Sequence, residues 1–207
     1  MFQDLTLKKF TDILASNEPM PGGGSVAALS GALSVSLLEM VTNLTIGKKK
    51  YAEAEEEMKE IKNIAENMKS KFLNDITRDS DSYKEVDDAF GLPKNTDEEK
   101  KKRKEAIQEG LKSAAKVPLE VAQDAYKIFD YAEKVVEKGN QSAVTDGLIA
   151  TMMARNAVIG AMYNVKINLL SIKDEEFVKE YEKEMKKLSD VNEREQKILA
   201  KSDIKVV

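Results

Sequence analysis

The 207-residue sequence contains no cysteine and no histidine. Without cysteine there is no disulfide, no thiolate metal site and no thiol nucleophile. Without histidine, a Ser-His-Asp triad, a histidine-bearing zinc site and an imidazole proton shuttle are excluded. Any acid or base must be Asp, Glu, Lys, Tyr or a backbone group. A basic surplus is also missing. There are 33 Lys and Arg against 37 Asp and Glu, which speaks against a general nucleic-acid binder. Short Val/Ile/Thr runs bounded by turns do not recur, so strands are not expected. The opening MFQDLTLKKF is amphipathic rather than a secretory leader, which predicts a cytoplasmic protein.

What remains is helical. An apolar fraction of 42 % and a charged fraction of 34 % are those of a globular chain, and the length suits one domain over residues 1–207. A first helix is predicted over Leu7–Ser16, capped by Thr6, with Leu7, Phe10, Ile13 and Leu14 inward. A Pro/Gly loop follows. The stretch Ser25–Ile46 carries a single charge, Glu39, and is long enough to span a bilayer. Its Ser and Thr content favours a core helix over a lipid-facing one, stopped at Gly47. Amphipathic helices are predicted over Tyr51–Asn74, then a shorter one to Gly91. Another runs over Asp97–Lys138 with a kink at Pro118. A second apolar helix covers Ser142–Leu170, and a last amphipathic one covers Asp174–Lys201. The fold class is therefore all-α: a bundle with two central apolar helices wrapped by amphipathic ones. Two such apolar helices in a short chain imply a face for self-association, hence a homodimer.

Four constellations could carry chemistry. Gly22, Gly23 and Gly24, with Ser25, open the first apolar helix. They form either a flexible turn with Ser25 as cap, or backbone donors for an anion or a polarised carbonyl. Lys48, Lys49 and Lys50 are either solvated residues at a helix end or a positive rim for an acidic ligand. Glu39, Asp146 and Arg155 interrupt apolar helices and need partners. Glu39 with Arg155 is one candidate pair, and Asp146 is either an early-turn acid or a catalytic carboxylate. Asp79 and Tyr83 share a helical face.

The string PGGGSVAALSGALSVSLLEMVTNLTIGKKKY, from Pro21 to Tyr51, resembles the formiminotetrahydrofolate cyclodeaminase / methenyltetrahydrofolate cyclohydrolase family. Further blocks follow in order: Asp79 and Tyr83; Gly91–Lys94 with Arg103 and Val117-Pro118; Gly139-Asn140, Thr145-Asp146-Gly147 and Ala154-Arg155; and 164–169. Thr145 stands where serine is more usual. The resemblance implies a free-standing, all-helical homodimer without a permanently bound cofactor or metal, whose substrate is a tetrahydrofolate derivative. It implies closure of N10 onto the N5-formimino carbon with loss of ammonia, or interconversion of the 5,10-methenyl and 10-formyl forms. On that basis Asp146 and Asp79 are the candidate catalytic carboxylates. Gly22–Ser25, Tyr83, Arg103 and Asn140 are candidate pocket residues, and Lys48–Lys50 would hold a polyglutamate tail. A non-catalytic helical dimerisation module is the competing reading of the same amphipathic helices.

Overall fold

The computed structural model describes residues 1–204, and no strand occurs among them. Seven α-helices form: α1 (Leu7–Leu14), α2 (Gly23–Thr45), α3 (Glu55–Phe90), α4 (Asp97–Lys138), α5 (Val144–Leu169), α6 (Glu175–Lys186) and α7 (Val191–Leu199). Short 3-10 turns precede α1, α3 and α5. The antiparallel helices α2 to α5 make the body of the bundle, and α7 packs onto α4 and α5.

The two apolar helices are central, as the sequence predicts. α5 buries Ala150, Ala154, Ala157, Val158, Ala161 and Val165, the three- and four-residue repeat of one helical face. Such small side chains allow close helix approach. On α2, an added Cβ at Gly31 would lie 2.8 Å from the buried Phe72 ring of α3. The hydroxyls that made α2 look unlike a lipid-facing helix are spent on carbonyls. Ser34 Oγ donates to Ala150 O at 2.7 Å, and Thr45 Oγ1 to Val41 O at 2.7 Å. Among the described residues α2 alone is long and apolar enough to cross a membrane, and 56 % of its most apolar stretch is packed inside the bundle. Gly47, at φ +77°, supplies the left-handed residue that ends this segment.

Several boundaries differ from the sequence reading. α1 buries only Phe10; Leu7 and Leu14 are exposed. Two turns offer too narrow a stripe to seat four apolar side chains. The break expected near Asn74 does not occur, and α3 continues through the polar 74–82 run to Phe90. Ile76, Val86 and Ala89 keep the inward stripe going, while Ser82 returns its hydroxyl to Asp79 O at 2.7 Å. The predicted last helix is two, because the chain turns at 187–190 and keeps Leu188, Val191 and Ile198 on the core. Pro118 lies inside a continuous α4. It cannot donate to Ala114 O one turn back, and the Asn168 side chain fills that role from α5, its Nδ2 donating to Ala114 O at 3.1 Å.

The suggested Glu39–Arg155 pair is not formed. Glu39 pairs with Lys69 of α3, whereas Arg155 sits 3.5 Å from Glu195 and donates to Asn192 Oδ1 at 2.8 Å, both on α7. The two residues lie on faces of α2 and α5 turned to different neighbours, a rotation that a charge count along the chain does not encode.

Candidate active site

At the N-terminal end of α2 a cleft of about 290 Å³ opens between four segments. The Pro19–Gly24 turn forms one wall, and Asp79, Ser80, Ser82 and Tyr83 of α3 form another. Asn164, Ile167 and Asn168 of α5, with Ala114 of α4, close it.

The glycines act through α2. The helix begins at Gly23, with Gly22 as its N-cap, and no side chain caps it. The sequence reading of Ser25 as the cap is thus corrected: Ser25 is in the first turn and fully buried. A helix start leaves unsatisfied N–H groups and a partial positive charge. Here a carboxylate from another helix meets them. Ser25 Oγ donates to Asp79 Oδ2 at 3.0 Å, and the Ser25 backbone N–H also bonds Asp79. Ile76 O and Ser80 Oγ, at 3.0 and 3.2 Å from Ser25 Oγ, complete the cluster. Gly24 makes the approach possible, because a Cβ there would fall 2.0 Å from Asp79 Oδ1. At Gly23 a Cβ would meet only the Asn164 amide, at 3.3 Å.

Burial pushes the Asp79 carboxyl above its ordinary value, and the charge of Asp75 one turn earlier adds to the rise. The two Ser25 donors pull the other way. Asp75 itself is fully buried beneath the cleft, bonded to Arg78 at 2.5 Å, and Arg78 continues to Glu120 of α4 at 2.8 Å. This chain of charges fixes the α3 turn that presents Asp79. A carboxyl whose proton is held more tightly than usual, beside hydroxyls and side-chain amides, can deliver that proton and then face a cation. Among the described residues no group of three or more Asp or Glu side chains is placed to hold a metal ion.

The structure gathers the glycines, Ser25, Asp79 and Tyr83, and separates the rest. Asp146 is in the first turn of α5, eighteen residues before Asn164. At helical rise that is about 27 Å from the cleft. Asn140 ties the far end together: its Nδ2 donates to Leu44 O at 2.9 Å and its N–H to Thr45 Oγ1 at 2.9 Å. Lys48, Lys49 and Lys50 are exposed beside it. Arg103 closes the α3–α4 hairpin by donating to Phe90 O at 3.1 and 3.3 Å. Sequence reasoning did not assign Ser80, Ser82, Asn164 or Asn168. The last two left a signal, two amides four residues apart in an apolar helix and therefore on one face.

Fold and cleft together define an all-helical enzyme whose chemistry is built on carboxyl, hydroxyl and amide groups. The chain belongs to the formiminotransferase-cyclodeaminase family, whose model matches residues 6–187. It is 42 % identical over 183 residues to a methenyltetrahydrofolate cyclohydrolase of Methylorubrum extorquens, covering 88 % of each chain. It is 31 % identical over 174 residues to rat formimidoyltransferase-cyclodeaminase, covering 84 % of this chain but 32 % of that longer protein. A solved formiminotetrahydrofolate cyclodeaminase of Thermotoga maritima superposes with a TM-score of 0.86 at 31 % identity, over 97 % of both chains.

Proposed function

We propose that the protein is a folate one-carbon enzyme, a formiminotetrahydrofolate cyclodeaminase acting in the Asp79 cleft. The observation that carries this reading is the Asp79 carboxyl, raised above its ordinary value by burial and bonded to Ser25 at the start of α2. In the reaction N10 attacks the formimino carbon on N5, giving a tetrahedral carbon between the two nitrogens. The imino nitrogen leaves as ammonia, taking the hydrogen of N10 and one further proton. The positive charge of that proton stays on the 5,10-methenyl product. Asp79 supplies the proton to the departing nitrogen, and the carboxylate left behind faces the cationic product. Ser25 steadies the carboxyl, and Ser80 in turn contacts the Ser25 hydroxyl. The amides of Asn164 and Asn168 and the Tyr83 hydroxyl offer polar contacts to a pterin ring.

A second reading is methenyltetrahydrofolate cyclohydrolase in the same cleft, with water attacking the methenyl carbon and a proton released. It is favoured by the 42 % identity to the Methylorubrum enzyme along 88 % of both chains. One experiment separates the two: ammonia release from the 5-formimino substrate measured beside hydrolysis of the 5,10-methenyl form. Ammonia release is the expected outcome. Hydrolysis alone selects the second reading, and neither activity, with no thermal shift by folates, returns the protein to a helical dimerisation module.

The substrate is read as polyglutamylated, with Lys48, Lys49 and Lys50 as the tail site, and the protein as a homodimer. Neutralising the three lysines to glutamine is expected to raise KM for a polyglutamylated folate on the order of tenfold while leaving the monoglutamate nearly unaffected. Equal changes for both substrates exclude tail binding there.

A further inference from the structure

The α5 wall of the cleft is made by Asn164, Ile167 and Asn168, with Ala114 of α4 beside them. Both asparagines have their amino groups committed to backbone carbonyls. Asn164 Nδ2 donates to Gly160 O at 2.8 Å. Asn168 Nδ2 donates to Asn164 O at 2.9 Å and to Ala114 O at 3.1 Å. A carbonyl oxygen only accepts, so these contacts fix which end of each amide is the nitrogen. The remaining polar atom of each side chain is Oδ1, an acceptor, and neither Oδ1 meets a donor among the described residues. Pro118 has a part in this. Lacking an N–H, it leaves Ala114 O without its helical donor, and Asn168 takes that place.

We infer that Asn164 and Asn168 read the donor edge of a reduced pterin ring, Asn164 Oδ1 accepting from N8–H and Asn168 Oδ1 from the 2-amino group. Pro118 is then a positioning residue that orients the Asn168 amide. The inference rests on the reading of the cleft as the folate site. Two residues four apart on a helix lie on one face, with Cβ atoms about 5–6 Å apart. That spacing suits two donors on either side of one ring nitrogen, as the 2-amino group and N8–H flank N1. The 2-amino and N3–H pair, on neighbouring ring atoms, is narrower.

Which amide meets which donor follows from where the chemistry is. Asn164 is beside the start of α2: its Nδ2 would be 3.3 Å from a Cβ on Gly23, and the next residue, Gly24, lies against Asp79. The reacting N5 belongs to the same ring as N8, whereas the amino group is on the other ring. With N5 turned to Asp79, N8 comes to Asn164 and the 2-amino group to Asn168. An acceptor at N8 also distinguishes oxidation states. Tetrahydro- and 7,8-dihydropterins carry a hydrogen on N8, while the fully oxidised ring presents a lone pair there. That lone pair would face Oδ1 with no proton between them, and a site built to accept a hydrogen bond rejects the analogue that lacks the donor.

Isothermal titration calorimetry of the full-length protein tests this with two ligand pairs. 7,8-Dihydrofolate and folate differ in the hydrogens at N8 and C7, and dihydrofolate is expected to bind at least about tenfold more tightly. 5-Formyltetrahydrofolate should likewise bind about tenfold more tightly than its 2-desamino-2-methyl analogue. Asn164→Leu should abolish the first preference and keep the second, and Asn168→Leu should do the reverse. Equal binding within either pair by the wild type, or a preference that survives loss of its asparagine, overturns the assignment. Pro118→Ala should weaken the 2-amino preference several-fold and leave the N8 preference intact, a selectivity that general loosening of α4 does not produce. Asn168→Leu leaves Ala114 O without a donor and is expected to melt lower. Adding Pro118→Ala returns an N–H to that carbonyl and should restore the melting temperature. No recovery overturns the role of Pro118. If none of the four ligands binds and no folate is turned over, the folate reading falls and the amide assignment with it.

Discussion

Asp79→Asn is expected to lose most turnover and, above the pH at which the folded Asp79 carboxyl ionises, to gain stability. Removing a general acid that moves a proton at the departing nitrogen lowers kcat by roughly 10²- to 10⁴-fold. The stability gain follows from burial. Asp79 is pushed above its ordinary value chiefly because its charged form is desolvated. A carboxyl raised in the folded state favours folding while protonated, and that contribution is lost as pH rises through its folded value. Above the pH at which the folded carboxyl ionises, the wild type carries the desolvated charge and the asparagine variant does not, so there the variant melts higher. For a chain of this length each kcal/mol moves the midpoint by about 2–4 °C. Below the ordinary carboxylate range both side chains are neutral, and the two melting curves should converge. A variant that melts lower than the wild type across the whole pH range, or that keeps full turnover, refutes the role given to Asp79. Asp146→Asn decides the second candidate: Asp146 lies about 27 Å along α5 from the cleft of its own chain, so full turnover leaves Asp79 as the acid, and a large loss shows that Asp146 reaches a site across subunits.

Gly24→Ala should damage the site nearly as much as removing the carboxyl. The added methyl would stand 2.0 Å from Asp79 Oδ1, so either the carboxylate turns away or α2 shifts. Overpacking of this kind costs about 1–3 kcal/mol, and the turned carboxyl no longer meets the Ser25 donors. Turnover is expected to fall at least roughly 10²-fold, as for loss of the acid itself. Gly23→Ala, 3.3 Å from an Asn164 amide that can give way, should be far milder. The double variant Gly24→Ala, Asp79→Asn should be hardly worse than Asp79→Asn alone, because two groups that share one contact do not add. Additive losses in kcat would show that Gly24 serves something other than the seat of Asp79.

Much of this was legible in order along the chain. The two apolar helices, the amphipathic wrapping, Thr6 as a cap and the Gly47 stop follow from period, composition and backbone freedom, all local properties. Asp79 and the glycine turn were also singled out there, and the resemblance grouped them in one pocket. The contact itself was not legible, because they are more than fifty residues apart and Asp79 reaches Ser25 from another helix. The amides Asn164 and Asn168 were visible as paired polar residues on an apolar face without a stated use. Asp146, Asn140 and Lys48–Lys50 were grouped with the cleft through the family resemblance, and antiparallel packing sends them to the opposite end of the bundle within the chain.

By itself the sequence determined that the protein is a helical bundle with two oily central helices, and that its chemistry must do without imidazole and thiol. Periodicity and composition suffice for those conclusions, since each depends on neighbours within a few turns. Only the tertiary structure decided which acid meets the open start of α2, which glycine makes room for it, and which charges stand apart. Those outcomes depend on how far each helix runs and how it is rotated against the next, and burial across the whole bundle sets both.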